Sequence, residues 1–255
     1  MERNILLTIQ YDGSAFKGWQ RQPGERTVQG VLEEALSKFC GTSIQINGTS
    51  RTDSGVHALM QCASFKGDFK IPLENLVRAV NNYLQGGMSA LNPVGDVRIL
   101  EAKEMPEDFH ARFNCKGKTY RYEIQNSGEV DIFKRNYRYF VTEPLDIEKM
   151  QKAATYILGT HDFCSFQAAG GNPRETTVRT IFHIDICEEA DLVSIEITGD
   201  GFLYNMVRII VGTLVEVGLG KREPEELKEI IEKKDRTCAG HTAPAAGLYL
   251  KEIYF

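Results

Sequence analysis

The chain has no cysteine pair at C-x-x-C spacing. Its six cysteines (Cys40, Cys62, Cys115, Cys164, Cys187 and Cys238) are scattered and do not cluster with the five histidines. That arrangement excludes the common zinc frameworks and predicts reduced thiols in the core. No apolar run approaches the ~20 residues needed to span a bilayer, and the opening Met-Glu-Arg-Asn has no signal-peptide pattern. A cytoplasmic protein with no membrane partner is therefore expected. No segment rich in Pro, Gly or Ser divides the 255 residues, so any two lobes should be joined without a flexible linker. An excess of positive charge is also missing. The net charge of −5 by itself argues against a nucleic-acid partner, but the acid is unevenly spread. Residues 223–235 hold six Asp or Glu and residues 185–191 hold four, whereas residues 112–121 carry four Lys or Arg and no acid. A basic groove on an acidic protein stays open, because local density outweighs the total.

The hydrophobic pattern is that of an α+β protein. Residues 4–11 (NILLTIQY) read as a buried strand ended by the Asp12-Gly13-Ser14 turn. An aromatic and basic loop over 16–23 holds the only tryptophan, Trp19. Thr27 is a predicted N-cap for a helix through Phe39, with Val28, Val31, Leu32, Ala35 and Leu36 on one face. Strand character follows at 61–66, a helix at 73–84, and an extended stretch over 88–103 broken by Asn92-Pro93. From about residue 107 the pattern restarts. Strands are predicted at 119–125, 177–187, 192–198 and 248–254, and helices at 146–158, 202–217 and 223–234. Each half is strands with helices, a loose duplication. The expectation is an N-terminal lobe over residues 1–106 and a C-terminal lobe over 107–255, sharing one continuous, mainly antiparallel sheet flanked by helices, with a cleft between the lobes.

Three places carry possible chemistry. The polar loop 46–58 (INGTSRTDSGVHA) lies between two runs of strand character, a setting that can hold a reactive group rigidly while exposing it. Asp53 is the candidate, with Arg51 before it; alternatively Asp53 makes a local side-chain turn with Ser54 and Gly55. The segment 202–217 (FLYNMVRIIVGTLVEV) is apolar nearly all round, the mark of a buried helix, yet Arg208 sits in its most apolar part. A buried guanidinium without a partner is costly, so a carboxylate is expected to face it. Glu216 is too far along the helix, and Asp200 is better placed to cap it. Asp53 is the partner this reasoning selects; the other reading is an arginine that snorkels at the sheet edge. Tyr120 and Tyr122 share one face of the strand at 119–125. They are either core packing or, with Lys116 and Lys118 before them, an aromatic platform for a base.

Taken together, these residues resemble a known family. Residues 50–58 (SRTDSGVHA) closely resemble the catalytic loop of the bacterial tRNA pseudouridine synthases of the TruA family. Seven further segments resemble other blocks of that family, in the family's order: YDGSAFKGWQRQ at 11–22, TVQGVL at 27–32, FHARF at 109–113, TYRYEI at 119–124, HDFCSF at 161–166, GFLYNMVRIIVG at 201–212 and TAPAAGLYL at 242–250. The resemblance implies the pseudouridine synthase fold and an isomerase that detaches uracil from its ribose, rotates it and rejoins it through C5. It implies no cofactor, no metal, and a homodimer that grips one tRNA at the anticodon stem-loop, at tRNA positions 38 to 40. By resemblance Asp53 is the nucleophile, attacking ribose C1′ or base C6. Tyr120 stacks on the flipped uracil and removes the C5 proton, and Arg208 pairs with the aspartate. Arg51 enters the RNA helix as the base leaves, and Leu248 makes an apolar contact beside the base. One departure is Ser50, where the family commonly has glycine; a glycine there would serve a positive φ or a close backbone approach. The alternatives are a paralogue acting on another RNA stem-loop and a non-catalytic RNA-binding protein. A metal-dependent nuclease would need clustered carboxylates or histidines, and none surrounds Asp53 in sequence.

Overall fold

In the computed structural model the described residues are 2–86, 94–170 and 175–255. They form two compact units. The first comprises residues 1–116 together with 249–255, and the second residues 117–248. Both are α+β, as the sequence pattern predicts.

The first unit contains β1 (Arg3–Tyr11), α1 (Val28–Cys40), β2 (Asn47–Gly48), β3 (His57–Gly67), α2 (Leu73–Leu84) and β4 (Val97–Met105). In the second are β5 (Gly117–Asn126), β6 (Tyr139–Val141), α3 (Ile147–Ala154), β7 (Gly159–Asp162), β8 (Val178–Glu189), β9 (Leu192–Gly199), α4 (Met206–Gly218) and α5 (Glu226–Lys233). The last strand, β10 (Leu248–Tyr254), belongs to the first unit from Tyr249 onward.

In the first unit the strands run β4-β1-β3-β10, with β2 also on β3. β1 is antiparallel to both neighbours, but β10 joins β3 in parallel, Tyr249 opposite His57 and Leu250 opposite Ala58. Ile5, Leu7 and Ile9 are fully buried along β1. Thr27 caps α1 as predicted, its hydroxyl accepting from Gly30 N, and Gly41 ends the helix in the left-handed region at φ 70°. Residues 107–116 pack on this unit: Asn4 Nδ2 donates to the carbonyls of Pro106 and Phe109, and Ser64 Oγ accepts from Ala111 N.

In the second unit β5-β9-β8-β7 are antiparallel, and short β6 lies parallel on β5. This unit has three α-helices among the described residues, in the places read at 146–158, 202–217 and 223–234. α4 is its apolar centre: eleven of its thirteen residues are buried. Each fully buried Val, Leu or Ile contributes roughly 1.5–3 kcal/mol, so α4 anchors the unit.

Four expectations need correction. The helix read over 202–217 starts at Met206, because Asn205 takes the left-handed conformation (φ 60°) and interrupts the helix before it. Asp200 does not cap α4; its carboxylate accepts from Thr180 N. The cysteines are all free, but only Cys62 is buried, and Cys187 is exposed on β8. The extended stretch predicted from residue 88 is a strand from Val97, and residues 88–93 lie outside the described residues.

Candidate active site

The loop at 49–56 is fastened along its length by its own unit. Before the arginine, Thr49 N donates to Cys62 O and Thr49 Oγ1 to Ala111 O. Ser50 is held by the Gln61 side chain, whose Nε2 donates to Ser50 O at 2.8 Å and whose Oε1 accepts from Ser50 N at 3.4 Å. Ser50 is not among the positive-φ residues, so a serine there carries no backbone strain. Thr52 is buried. Its carbonyl accepts from Trp19 N at 3.0 Å, and its hydroxyl lies 2.7 Å from Tyr11 Oη. The aromatic loop read in the sequence therefore supports the polar one, with the Tyr11 and Trp19 rings 6.0 Å apart beneath it.

Asp53 heads a tight turn closed by Val56 N donating to Asp53 O at 3.1 Å. Gly55, at the third position, has φ 80°, which a type II turn requires there. The turn is thus closed by backbone atoms, and the Asp53 side chain is half-buried. Gly13 packs flat against the end of this turn; a Cβ there would lie 2.0 Å from Val56 O. His57, just after the turn, is 2% exposed and stacks on Tyr249 with ring centroids 4.8 Å apart. Two contacts compete for its Nδ1: Gly13 N at 3.1 Å and Asp12 Oδ1 at 3.2 Å. The Gly13 N–H is the donor to that nitrogen, because Asp12 Oδ1 already accepts from Ser14 N and Ser14 Oγ. His57 braces the turn. Arg51 is exposed.

Tyr120, Arg208 and Leu248 belong to the second unit. Tyr120 and Tyr122 share the buried face of β5, as the alternation predicts. Tyr120 is 6% exposed and meets Phe202 edge-on at 5.2 Å and 85°, an aromatic contact that fixes the plane of its ring. Tyr122 is fully buried, donates its hydroxyl to Pro244 O at 2.6 Å, and is held in the phenol form because burial pushes its pKa well up. Arg208 is half-buried. Its Nε donates to Ala243 O at 2.7 Å and its Nη1 to Asn205 Oδ1 at 2.8 Å. The guanidinium is thus held in a fixed orientation by protein acceptors. Leu248 is buried at the start of β10, directly after the 3-10 turn at 245–247. Segment 243–248 therefore ties Arg208, Tyr122 and Leu248 together within the second unit, while Arg51 and Asp53 lie in the first. Of the basic run at 112–121, Arg121 is engaged with Glu123 on its own strand at 3.1 Å.

Phe202, Trp19 and Tyr11 carry structural weight here that their sequence context did not announce. Among the described residues no three His, Cys, Asp or Glu side chains are grouped so as to hold a metal ion, and no helix is long and apolar enough to cross a membrane.

Residues 7–114 and 153–255 match the profile of the family described as tRNA pseudouridine synthase. The chain is 46% identical over 257 residues to "tRNA pseudouridine synthase A 2" of Clostridium tetani, covering 100% of both chains. It is 48% identical over 254 residues to "tRNA pseudouridine synthase A" of Ruminiclostridium cellulolyticum, covering 99% of this chain and 100% of that one. Among solved structures, a Cbf5-Nop10-Gar1 complex aligns with 82% of this chain and 54% of that chain at 11% identity and a TM-score of 0.35. The chain belongs to the tRNA pseudouridine synthase family. It has the fold of that family and is an isomerase.

Proposed function

We propose that the chain isomerises uridine to pseudouridine in the anticodon stem-loop of tRNA, with Asp53 as nucleophile. The observation that carries the reading is the full-length identity to proteins named tRNA pseudouridine synthase A, with the Arg-Thr-Asp loop intact and fastened on both sides. In the reaction the C1′–N1 bond breaks and a C1′–C5 bond forms; the C5 proton leaves, N1 takes up a proton from water, and the aspartate is released, so the product is an isomer of the substrate. Asp53 attacks at ribose C1′ or base C6, Tyr120 stacks on the uracil and takes the C5 proton, and Arg208 pairs with Asp53. Leu248 gives the base an apolar neighbour. Extruding a stacked uridine costs a few kcal/mol, which aromatic stacking on Tyr120 offsets by ~1–3 kcal/mol and Arg51 offsets by entering the RNA helix. Two copies gripping one tRNA would widen the basic surface that a chain of net charge −5 needs. The proposed site of action is the cytoplasm.

The test is release of tritium from C5-labelled uridine, in whole tRNA and in an isolated anticodon stem-loop. Release from both is expected. No release from either would overturn the enzymatic reading in favour of plain RNA binding, and release only from uridines outside the anticodon arm would indicate a paralogue with another stem-loop target.

Two substitutions separate binding from folding. Arg51→Ala removes an exposed side chain and should slow turnover roughly ten- to a hundredfold while leaving the melting temperature near that of the parent. Arg208→Ala removes the Ala243 and Asn205 hydrogen bonds as well as the proposed ion pair, and should destabilise the protein by about 2–4 kcal/mol in urea unfolding. If Arg51→Ala were as destabilising as Arg208→Ala, its role would be structural. If Arg208→Ala unfolded no more easily than the parent, the buried pairing would be wrong.

A further inference from the structure

Arg208, Gly212 and Glu216 recur every four residues along α4, so they share one face of the helix. The chain segment 240–244 runs back along that face. At one end Glu216 Oε1 accepts from both His241 N and His241 Nδ1, each at 3.0 Å. In the middle the segment touches the helix backbone: a Cβ on Gly212 would lie 1.9 Å from His241 O, and Gly240 N donates to Thr213 Oγ1 at 2.9 Å. At the other end Ala243 bonds Arg208 twice, its N–H donating to Arg208 O at 3.1 Å and its carbonyl accepting from Arg208 Nε at 2.7 Å. The next carbonyl, Pro244 O, holds the Tyr122 hydroxyl.

The far side of this strap is also pinned. With Nδ1–H directed to Glu216, His241 Nε2 is left as the acceptor for the Tyr139 hydroxyl at 3.1 Å. Glu216 Oε2 in turn takes Arg222 Nε at 2.6 Å. Burial alone would raise the Glu216 pKa, but the hydrogen bonds from Arg222 and His241 outweigh it and hold the carboxyl below its ordinary range. The acceptor of the strap therefore stays ionised near neutral pH.

We propose that Glu216 is a positioning residue for Arg208: by anchoring His241 it fixes segment 240–244, whose Ala243 carbonyl aims the guanidinium. Glu216 itself touches no reacting atom. Its effect on turnover rests on the role given to Arg208 under the proposed function, but the aiming of the guanidinium does not.

The experiment uses the whole protein. Arginine Nε–H groups are followed by 15N NMR, with the Arg208 signal assigned by its disappearance in Arg208→Lys, and tritium release is measured on the same samples. In the parent the Arg208 Nε–H should persist in slow exchange, because Ala243 O shields it. Glu216→Ala should lose that signal and lower kcat roughly ten- to a hundredfold with KM little changed, since misplacing a reactive-site group by about an ångström costs that order. Glu216→Gln retains an acceptor for His241 and should keep the signal and most of the turnover. Arg222→Ala, which loosens the other carboxylate oxygen but leaves both His241 bonds, should lower the melting temperature and weaken signal and kcat less than Glu216→Ala does. If Glu216→Ala does not fold, His241→Ala removes only the side-chain half of the anchor and should weaken the signal with a smaller loss of kcat.

A Glu216→Ala or His241→Ala protein with parental signal and turnover would overturn the proposal. So would an Arg222→Ala protein as impaired as Glu216→Ala. A parent that releases no tritium but shows the expected pattern of Nε–H signals would sink the proposed reaction while leaving the positioning of Arg208 intact.

Discussion

Asp53→Asn should release tritium from C5-labelled uridine in tRNA at least about 10⁴-fold more slowly than the parent. The two side chains have the same shape, and the turn that presents them is closed by backbone atoms, Val56 N to Asp53 O, which the change leaves alone. An amide has no anionic oxygen with which to form a covalent intermediate, and removing an enzyme nucleophile costs roughly 10⁴–10⁶ in kcat. At 1.36 kcal/mol per decade this is ~5–8 kcal/mol of transition-state stabilisation. The stability cost should be smaller than for Arg208→Ala, because Arg208 keeps Ala243 O and Asn205 Oδ1 as acceptors. Near-normal release by Asp53→Asn would remove Asp53 from the chemistry.

The second large effect is expected at Gly212. In an ordinary helix interior, glycine to alanine stabilises by about 0.8–1 kcal/mol. Here the sign should reverse. The new methyl would sit 1.9 Å from the His241 carbonyl, and the helix around it is buried, so neither side has room to yield. Overpacking of this kind costs ~1–3 kcal/mol and occasionally more, and relief has to come from displacement of segment 240–244. Loss of stability in urea unfolding should therefore be accompanied by loss of turnover, since Ala243 is carried away from Arg208. A Gly212→Ala protein as stable as the parent would show that the strap is loosely seated. One that is destabilised with unchanged kcat would separate packing from the aiming of the guanidinium.

Much of the architecture is legible in the sequence. Local rules decided it wherever the signal was itself local. The Thr27 cap and the helix at 73–84 follow from capping chemistry and apolar spacing. The common face of Tyr120 and Tyr122 follows from the two-residue period of a strand. Apolar residues all round 206–217 announced a buried helix, but their spacing carried no information about φ at Asn205. The helix start was therefore read four residues early, and Asp200 was assigned a cap it does not make.

For the site, the sequence by itself determined the candidates. The Arg-Thr-Asp loop, the tyrosine on β5 and the arginine within α4 are candidates by residue type and setting, and the order of the sequence blocks from residue 11 to residue 250 gives the resemblance to the family. Only the tertiary structure decided what holds them. The supports of the loop come from Tyr11 and Trp19, far away in the chain, and from Gln61 on β3. A guanidinium in an apolar helix calls for a charge, and within its own unit the contacts of Arg208 include a main-chain carbonyl from residue 243 and the Asn205 amide oxygen. A backbone oxygen is present in every residue and so leaves no trace in the pattern of side chains. Which one faces a given arginine is set by the path of the chain, and the close approach of Gly212 to His241 is what fixes that path here.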